Sequence, residues 1–342
     1  MLRRKTPTMK DVAARASVSL ATVSRAMSAS TDVSDNLRRR IEQAAQELDY
    51  TVNFNARSLR SKSSGIIVVL VWDITNAFFP VLLQGIEEQA RVMGKAVLIG
   101  DTANDSEMAA TYGRMVEGQR ADGMILLNGN VPRSDAKGPR SLARRYPIVA
   151  ISERIPGAAI PTVGIDNVAA SFDMVGYLAQ IGHRRIVHLV GPADNILSQQ
   201  RVEGFRKGLA HFGCETWADC VQPSGFTIRS GRAAMARALE DAMRPTAVFA
   251  ASDECAIGAI IEAKSRGLKV PDDVSVVGFD DIEFAQIYDP SLTTIYQPRR
   301  DMGRKAMEIL GQLLAEPRKP QADVLLDYKL VVRSSSAPPP KR

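Results

Sequence analysis

A small all-α domain followed by a two-lobed α/β domain is the architecture this sequence predicts, and three observations carry it. Two short helical patterns near the N-terminus are broken at Ser17-Val18-Ser19. From Gly65 onward, β-branched runs alternate with amphipathic helical stretches, the mark of parallel sheets covered by helices on both faces. Charge is segregated as well. Up to Ser64 there are twelve basic and six acidic residues, a net +6 that equals the net charge of the whole 342-residue chain.

In the N-terminal segment, Thr8 is placed to cap a first helix, with Asp11 three residues on to reach back to the cap N–H. Val12 and Ala16, four apart, give that helix one apolar face. Ser19 is placed to cap a second helix starting at Leu20, and the small Ala13, Ala14 and Ala16 let the two helices cross closely. A third helix is expected from Ser34, with Leu37, Ile41, Ala44 or Ala45 and Leu48 on one face. Three helices with a shared core and an exposed second helix make a major-groove reader. The confined basic excess is what phosphate neutralisation requires, and a plain helical bundle has no need of it.

Residues 53–64 close on a polar, serine-rich stretch that reads as a linker. Ala56, Arg57, Leu59 and Arg60 would form a short amphipathic helix if something stabilised it, since isolated helices of this length are marginal in water. Two uses are open on spacing alone: a tether with Leu59 packed on the first domain, or a helix ordered on DNA that inserts Leu59 between base steps of the minor groove.

The α/β series then runs in order. Strands are expected at Ile66–Val71, Ala96–Gly100, Gly123–Leu127 and Ile148–Ile151, with helices at Phe78–Met93 and Glu107–Gly118. A second series from about Gly164 has strands at Ile186–Val190, Ala247–Ala250 and Val274–Gly278. Its helices are expected at Ala169–Ile181, Gln199–Phe212, Ser230–Met243 and Glu254–Arg266. A last helix near Arg300–Ala315 and strands near Val324–Leu326 and Lys329–Val332 close the chain. Two doubly wound lobes leave a cleft at the carboxyl ends of their strands, where small ligands bind. The residues at those ends include Phe78, Phe79, Arg201 and Asp280. Arg201 is a forked donor and Asp280 an acceptor for hydroxyls; Phe78, Phe79 and Phe226 could stack on a sugar ring or a base. Taken singly, each could be core or a structural ion pair. Their joint placement at strand ends favours binding.

Composition excludes several classes. The longest apolar run, Ile66–Trp72, is too short to span a bilayer, and no apolar stretch follows the basic N-terminus as a secretory signal would require. The protein is therefore expected to be cytoplasmic and soluble. Cys214, Cys220 and Cys255 lack metal-like spacing and are expected as buried free thiols. His183, His188 and His211 form no ligand cluster, and no phosphate-cradling loop, nucleophile elbow or dinucleotide fingerprint occurs. Neither an enzyme nor a cofactor or metal is expected. A transport binding protein would share the two lobes but would have no use for the basic module.

These features together resemble the LacI/GalR family of transcriptional regulators along nearly the whole chain. The motifs that carry the resemblance are Met9-Lys-Asp-Val-Ala, Thr22-Val-Ser-Arg25, Ala56-Arg-Ser-Leu59, Phe78-Phe79, Gly85-Ile-Glu-Glu, Asp122-Gly-Met-Ile, Arg201-Val-Glu-Gly-Phe205, Ser275-Val-Val-Gly-Phe-Asp-Asp281 and Leu292-Thr-Thr-Ile-Tyr-Gln297. The resemblance matches Leu20, Ala21 and Arg25 to base-reading positions and Leu59 to the inserting hinge leucine, and Ser19, Thr22, Ser24, Asn55 and Arg57 complete the expected DNA-contacting set. It matches Phe79, Arg201, Phe226, Asp280 and Gln297 to effector-contacting positions of a periplasmic-binding-protein-like domain, and Phe78, Asn128, Asp166 and Asp253 complete the expected effector site. The domains would then be 1–52, a hinge at 53–64, and 65–333, with lobe one at about 65–165 and 294–326 and lobe two at 166–293 and 327–333.

Some positions depart from the family. Val52 stands where many members carry proline before the hinge, and Asn195 and Leu197 differ from purine-responsive members, which argues against a nucleobase effector. The proline tail 334–342 has no leucine heptad and is expected to be disordered, so a homodimer on inverted-repeat operator DNA is expected, controlled by a sugar or sugar derivative. Whether the effector releases or strengthens DNA binding is left open by the residues.

Overall fold

The computed structural model describes residues 7–27, 33–50, 63–103, 105–127, 129–132, 145–317 and 319–341. The chain divides into two compact units, Met1–Ser64 and Gly65–Arg342. The first holds α1 (Met9–Arg15), α2 (Leu20–Met27) and α3 (Asp35–Glu47). The Asp11 carboxylate accepts from both the backbone N and the hydroxyl of Thr8, each at 2.7 Å, so the expected reach back to the cap forms. Ser17 turns the chain with φ +49°, and Ser19 Oγ then accepts from Thr22 N at 3.1 Å to start α2. Val12, Ala13, Ala16, Val23, Ala26, Ile41, Ala44 and Ala45 bury together as one core. Small side chains at the crossings are what let three such short helices share it.

The second unit has two lobes. In the first, β1 (Ile66–Val71), β2 (Ala96–Asp101), β3 (Gly123–Leu126), β4 (Ile148–Ile151), β5 (Thr162–Gly164) and β11 (Val324–Leu325) form a parallel sheet in the order β11-β5-β4-β3-β1-β2. It is covered by α4 (Phe79–Val92), α5 (Ser106–Glu117) and α11 (Arg299–Ala315). Helices α4 and α11 pack at backbone distance: a Cβ on Gly85 would lie 2.0 Å from Arg300 O, and one on Gly303 would lie 2.2 Å from Leu82 O. Only glycine permits that approach.

The second lobe has β6 (Ile186–Val190), β7 (Val221–Pro223), β8 (Ala247–Ala250) and β9 (Ser275–Val277) in the parallel order β7-β6-β8-β9. Its helices are α6 (Asn167–Gln180), α7 (Ile196–His211), α8 (Ile228–Glu240), α9 (Asp253–Ser265) and the short α10 (Glu283–Ile287). Strand β10 (Thr294–Tyr296) pairs antiparallel with β12 (Lys329–Val331). The strands β5, β7 and β10 and helix α10 were not expected from the sequence, each being only three to five residues long.

Two expectations are corrected. Residues 294–296 belong with the second lobe rather than the first. Thr293 bridges to Val277, Tyr296 bridges to Asp280, and Ile295 is buried in a second-lobe cluster. The crossover therefore falls at about Gln297. The tail from Ser334 is not a disordered end but is stitched into that lobe. Ser335 is fully buried; its Oγ accepts from Thr293 N at 2.9 Å and its carbonyl accepts from Val276 N at 2.9 Å. Ala337 N donates to Ser275 Oγ at 3.0 Å, and the Ala337 carbonyl lies 2.9 Å from His183 Nε2. The serines supply hydroxyls to strand-end backbone groups that would otherwise be orphaned.

Cys220 and Cys255 are buried free thiols, as expected, whereas Cys214 is half-buried. Among the described residues, no helix is long and apolar enough to cross a membrane and no His, Cys, Asp and Glu group is arranged to hold a metal.

Candidate functional site

On α2, Val23 and Ala26 face the core, so the opposite side of the helix points outward. Leu20, Ala21 and Arg25 are exposed there, Leu20 at 43%. Thr22 and Ser24 are half-buried. The Ser19 hydroxyl is already engaged, accepting from Thr22 N and lying 2.8 Å from Thr22 Oγ1. Its role in the structure is capping. Asn55, Arg57, Leu59 and Asn128 lie outside the described residues.

The second site is a cavity where the carboxyl ends of the two sheets face one another. Phe78 and Phe79 enter from the start of α4, with Trp72 at the end of β1; Phe79 meets Trp72 edge-on at 5.9 Å and Phe78 edge-on at 5.6 Å. Phe226 and Leu197 come from the second lobe. These form the apolar walls. The polar end is built by Arg201, Asp280 and Gln297.

Arg201 is held almost rigidly. Its Nε donates to Asn167 Oδ1 at 3.1 Å, its Nη1 donates to Ala251 O, and its guanidinium lies 3.6 Å over the Phe279 ring. Its Nη2 lies 4.0 Å from Asp280 Oδ1, which also accepts from Gln297 Nε2 at 2.7 Å. Burial lowers the Arg201 pKa, opposed by the carboxylates of Asp280, Asp253 and Glu153. Burial pushes Asp280 up to about 6, opposed by the Arg201 and Arg299 guanidiniums. Asp280 and Asp281 have φ of +120° and +54°, so the backbone itself is bent to present the carboxylate.

Two expected contact residues are not part of this cavity. Asp166 is exposed at the N-cap of α6, where its carboxylate accepts from Ala169 N at 2.9 Å. Asp253 is fully buried beneath the site, accepting from Thr294 Oγ1 and, at 2.8 Å, from Ile282 N. Its acceptors are spent on the chain, and it buttresses the turn that carries Asp280 and Asp281. Burial and the neighbouring Asp280 push its pKa well up.

The cavity also has lining residues the sequence reading missed: Trp72, Asn76, Ser152, Glu153 and Ser252. Glu153 is the most consequential. Burial pushes it up to about 7, opposed by a hydrogen bond from Asn195 and by Arg201. The Asn195 carbonyl is occupied by Leu197 N and Ser198 N, which leaves its amide to donate to Glu153 across the cleft. A Cβ on Gly129 would lie 2.1 Å from Glu153 Oε2, so glycine makes the room for this carboxyl. The signal was present: Ser152 and Glu153 directly follow the strand Ile148–Ile151, the same strand-end position that pointed to Asp280.

Residues 8–53 match the bacterial regulatory proteins of the lacI family, and residues 175–336 match the periplasmic binding protein-like domain. The HTH-type transcriptional repressor CytR of Escherichia coli strain K12 is 39% identical over 330 residues, 96% of each chain. The chain belongs to the lacI family. As a member it is a DNA-binding transcriptional regulator and not an enzyme. Among solved structures, the Lac repressor dimer bound to operator and the anti-inducer ONPF has a TM-score of 0.86 at 28% identity, covering 97% of this chain and 100% of that one. The complex of the regulator CelR with cellobiose has a TM-score of 0.72 at 28% identity, covering 96% and 99%.

Proposed function

We propose that this lacI-family regulator binds inverted-repeat operator DNA as a homodimer under the control of a sugar or sugar derivative held between its lobes. One observation carries the effector class: aromatic walls from Phe78, Phe79 and Phe226 line one cavity with the fixed Arg201–Asp280–Gln297 cluster. Aromatic faces suit the C–H face of a pyranose or furanose ring, while a carboxylate, an amide and a guanidinium suit its hydroxyls. The cellobiose in the CelR complex agrees with this class.

The exposed face of α2 reads the major groove. Leu20 and Ala21 contribute shape and contact with thymine methyls, and Arg25 pairs with a guanine. The hinge places Leu59 in the minor groove, and effector binding biases the lobes and through them the hinge, a linkage between two sites. The dimer works in the cytoplasm, on the nucleoid when operator-bound.

A thermal-shift screen of the full chain against neutral sugars, sugar acids, nucleosides and nucleobases tests the effector class. Stabilisation by one or more sugars is expected. Stabilisation by a nucleobase alone would overturn it. Selection on random duplex DNA tests the half-site symmetry in parallel, and enrichment of sequences without inverted repeats would refute the dimeric arrangement.

A further inference from the structure

The loop Asp73–Phe78 carries two cavity residues, Asn76 and Phe78, yet its own lobe fixes only part of its shape. Asp73 Oδ1 accepts from Thr75 N at 2.9 Å, and Asn76 Oδ1 accepts from Phe78 N at 2.9 Å. The peptide groups around Ala77 are held from elsewhere. Ala77 N donates to Glu254 Oε1 at 3.0 Å, and Glu254 stands in the first turn of α9, in the second lobe. Arg299, just past the crossover, donates from Nη1 to Ala77 O at 3.2 Å and to Phe78 O at 3.4 Å. Its Nη2 donates to Asp281 O at 2.8 Å, in the second lobe beside the cavity carboxylate Asp280. The Ala77 side chain packs on the second lobe's apolar cluster, and the Arg299 guanidinium sits 5.9 Å from the centre of the Phe78 ring.

We propose that Glu254 and Arg299 are positioning residues that clasp the Asp73–Phe78 loop onto the second lobe, so that the aromatic wall of the cavity and the closure of the lobes move as one. The proposal rests on the effector reading above for its purpose, but its geometry needs no ligand. Separating the lobes must break the Glu254 bond to Ala77 N and divide Arg299 between partners that part. Both are charge-assisted bonds to backbone groups, stronger than neutral ones. Burial raises the Glu254 pKa and the Ala77 N–H opposes it, as a carboxylate held between surfaces requires. A ligand that touches Phe78 then has different contacts in the closed and open states, which is the condition for shifting their populations.

Trp72, on the cavity wall, reports the closure, and Trp217 is the second of the chain's two tryptophans. In the full chain carrying Trp217→Phe, with no ligand, acrylamide quenching of Trp72 fluorescence measures its access to solvent. Glu254→Ala and Arg299→Met are each expected to raise the quenching constant by roughly two- to three-fold as the open state gains population. Glu254→Gln keeps an acceptor for Ala77 N and is expected to stay near the parent. Quenching equal to the parent in both Glu254→Ala and Arg299→Met, with cooperative unfolding retained, overturns the clasp. Failure of Glu254→Gln to restore the parent value also overturns it, because Glu254 would then act by packing alone. If Glu254→Ala does not fold, Arg299→Met and Glu254→Gln carry the decision. Since no sugar is used, the outcome is separate from that of the effector screen.

Discussion

Exchanging Glu153 for glutamine should stabilise the second unit at alkaline pH and leave it unchanged in acid. The carboxyl is pushed from its ordinary 4.5 to about 7 by burial at the cavity, with Asn195 and Arg201 opposing. A group raised on folding is at no disadvantage below its unfolded value and costs stability as pH rises through its folded value. The cost of holding the ionised form is about 3 kcal/mol at 1.36 kcal/mol per pH unit, and water at the cavity mouth reduces it to about 1–2 kcal/mol. Glutamine removes the charge and keeps an acceptor for the Asn195 amide. Urea unfolding followed by circular dichroism at pH 4.5, 6 and 8 gives the test. The difference between variant and wild type should be near zero at pH 4.5 and grow to about 1–2 kcal/mol at pH 8. A constant difference across that range would refute burial as the cause.

Four further outcomes are expected. Arg25→Ala should cost roughly 1–3 kcal/mol on a selected operator and flatten the preference at one base pair per half-site; an unchanged consensus from the variant would reassign the contact. Asp280→Ala should abolish the sugar-induced thermal shift while leaving operator affinity within about two-fold, since the effector and operator sites are coupled but separate. Loss of operator binding with an intact fold would make the Arg201 pair structural instead. His188, fully buried with Nδ1 2.8 Å from Phe249 O, is lowered to about 4, so its stabilising effect is present above pH 6.5 and lost as pH falls towards 4. The difference in unfolding free energy between wild type and His188→Gln should shrink by about 2 kcal/mol from pH 7 to pH 5, and calorimetry showing none would refute a neutral buried imidazole. Leu59→Ala should weaken specific binding, spare phosphate-driven non-specific binding and reduce the DNA bend; equal bend angles in a gel assay would leave Leu59 as a tether residue.

What the sequence disclosed follows from burial. The strands Ile66–Val71, Ile148–Ile151, Ile186–Val190 and Ala247–Ala250 fall where their apolar runs do, because each is sandwiched between helices and buries nearly every side chain. Strand β7 ends in proline and β10 is three residues held by long-range partners, so neither has a local pattern to find. The same limit separates Asp253 from Asp280. Both are aspartates just beyond second-lobe strands, and only Thr294 and Ile282, distant in sequence, decide that one is spent inside the fold and the other faces the cavity. The serines at 334–336 looked like a solvated tail because their partners, the backbone at Val276 and the side chain of Thr293, lie some forty to sixty residues earlier.

Both lobes take a late piece from residues 324–337: β11 at Val324–Leu325 joins the edge of the first sheet, while β12 pairs with β10 and Ser335 bonds Thr293 and Val276 in the second lobe. During synthesis, then, neither lobe can be finished until β11, β12 and Ser335 have left the ribosome. The helical N-terminal unit, whose described core lies within residues 9–50, has no such wait. A nascent chain should therefore display an assembled helix-turn-helix long before it has a sealed sensor. A chain cut just before Ser335 is expected to retain a folded first unit while the second lobe stays loose and open to proteases.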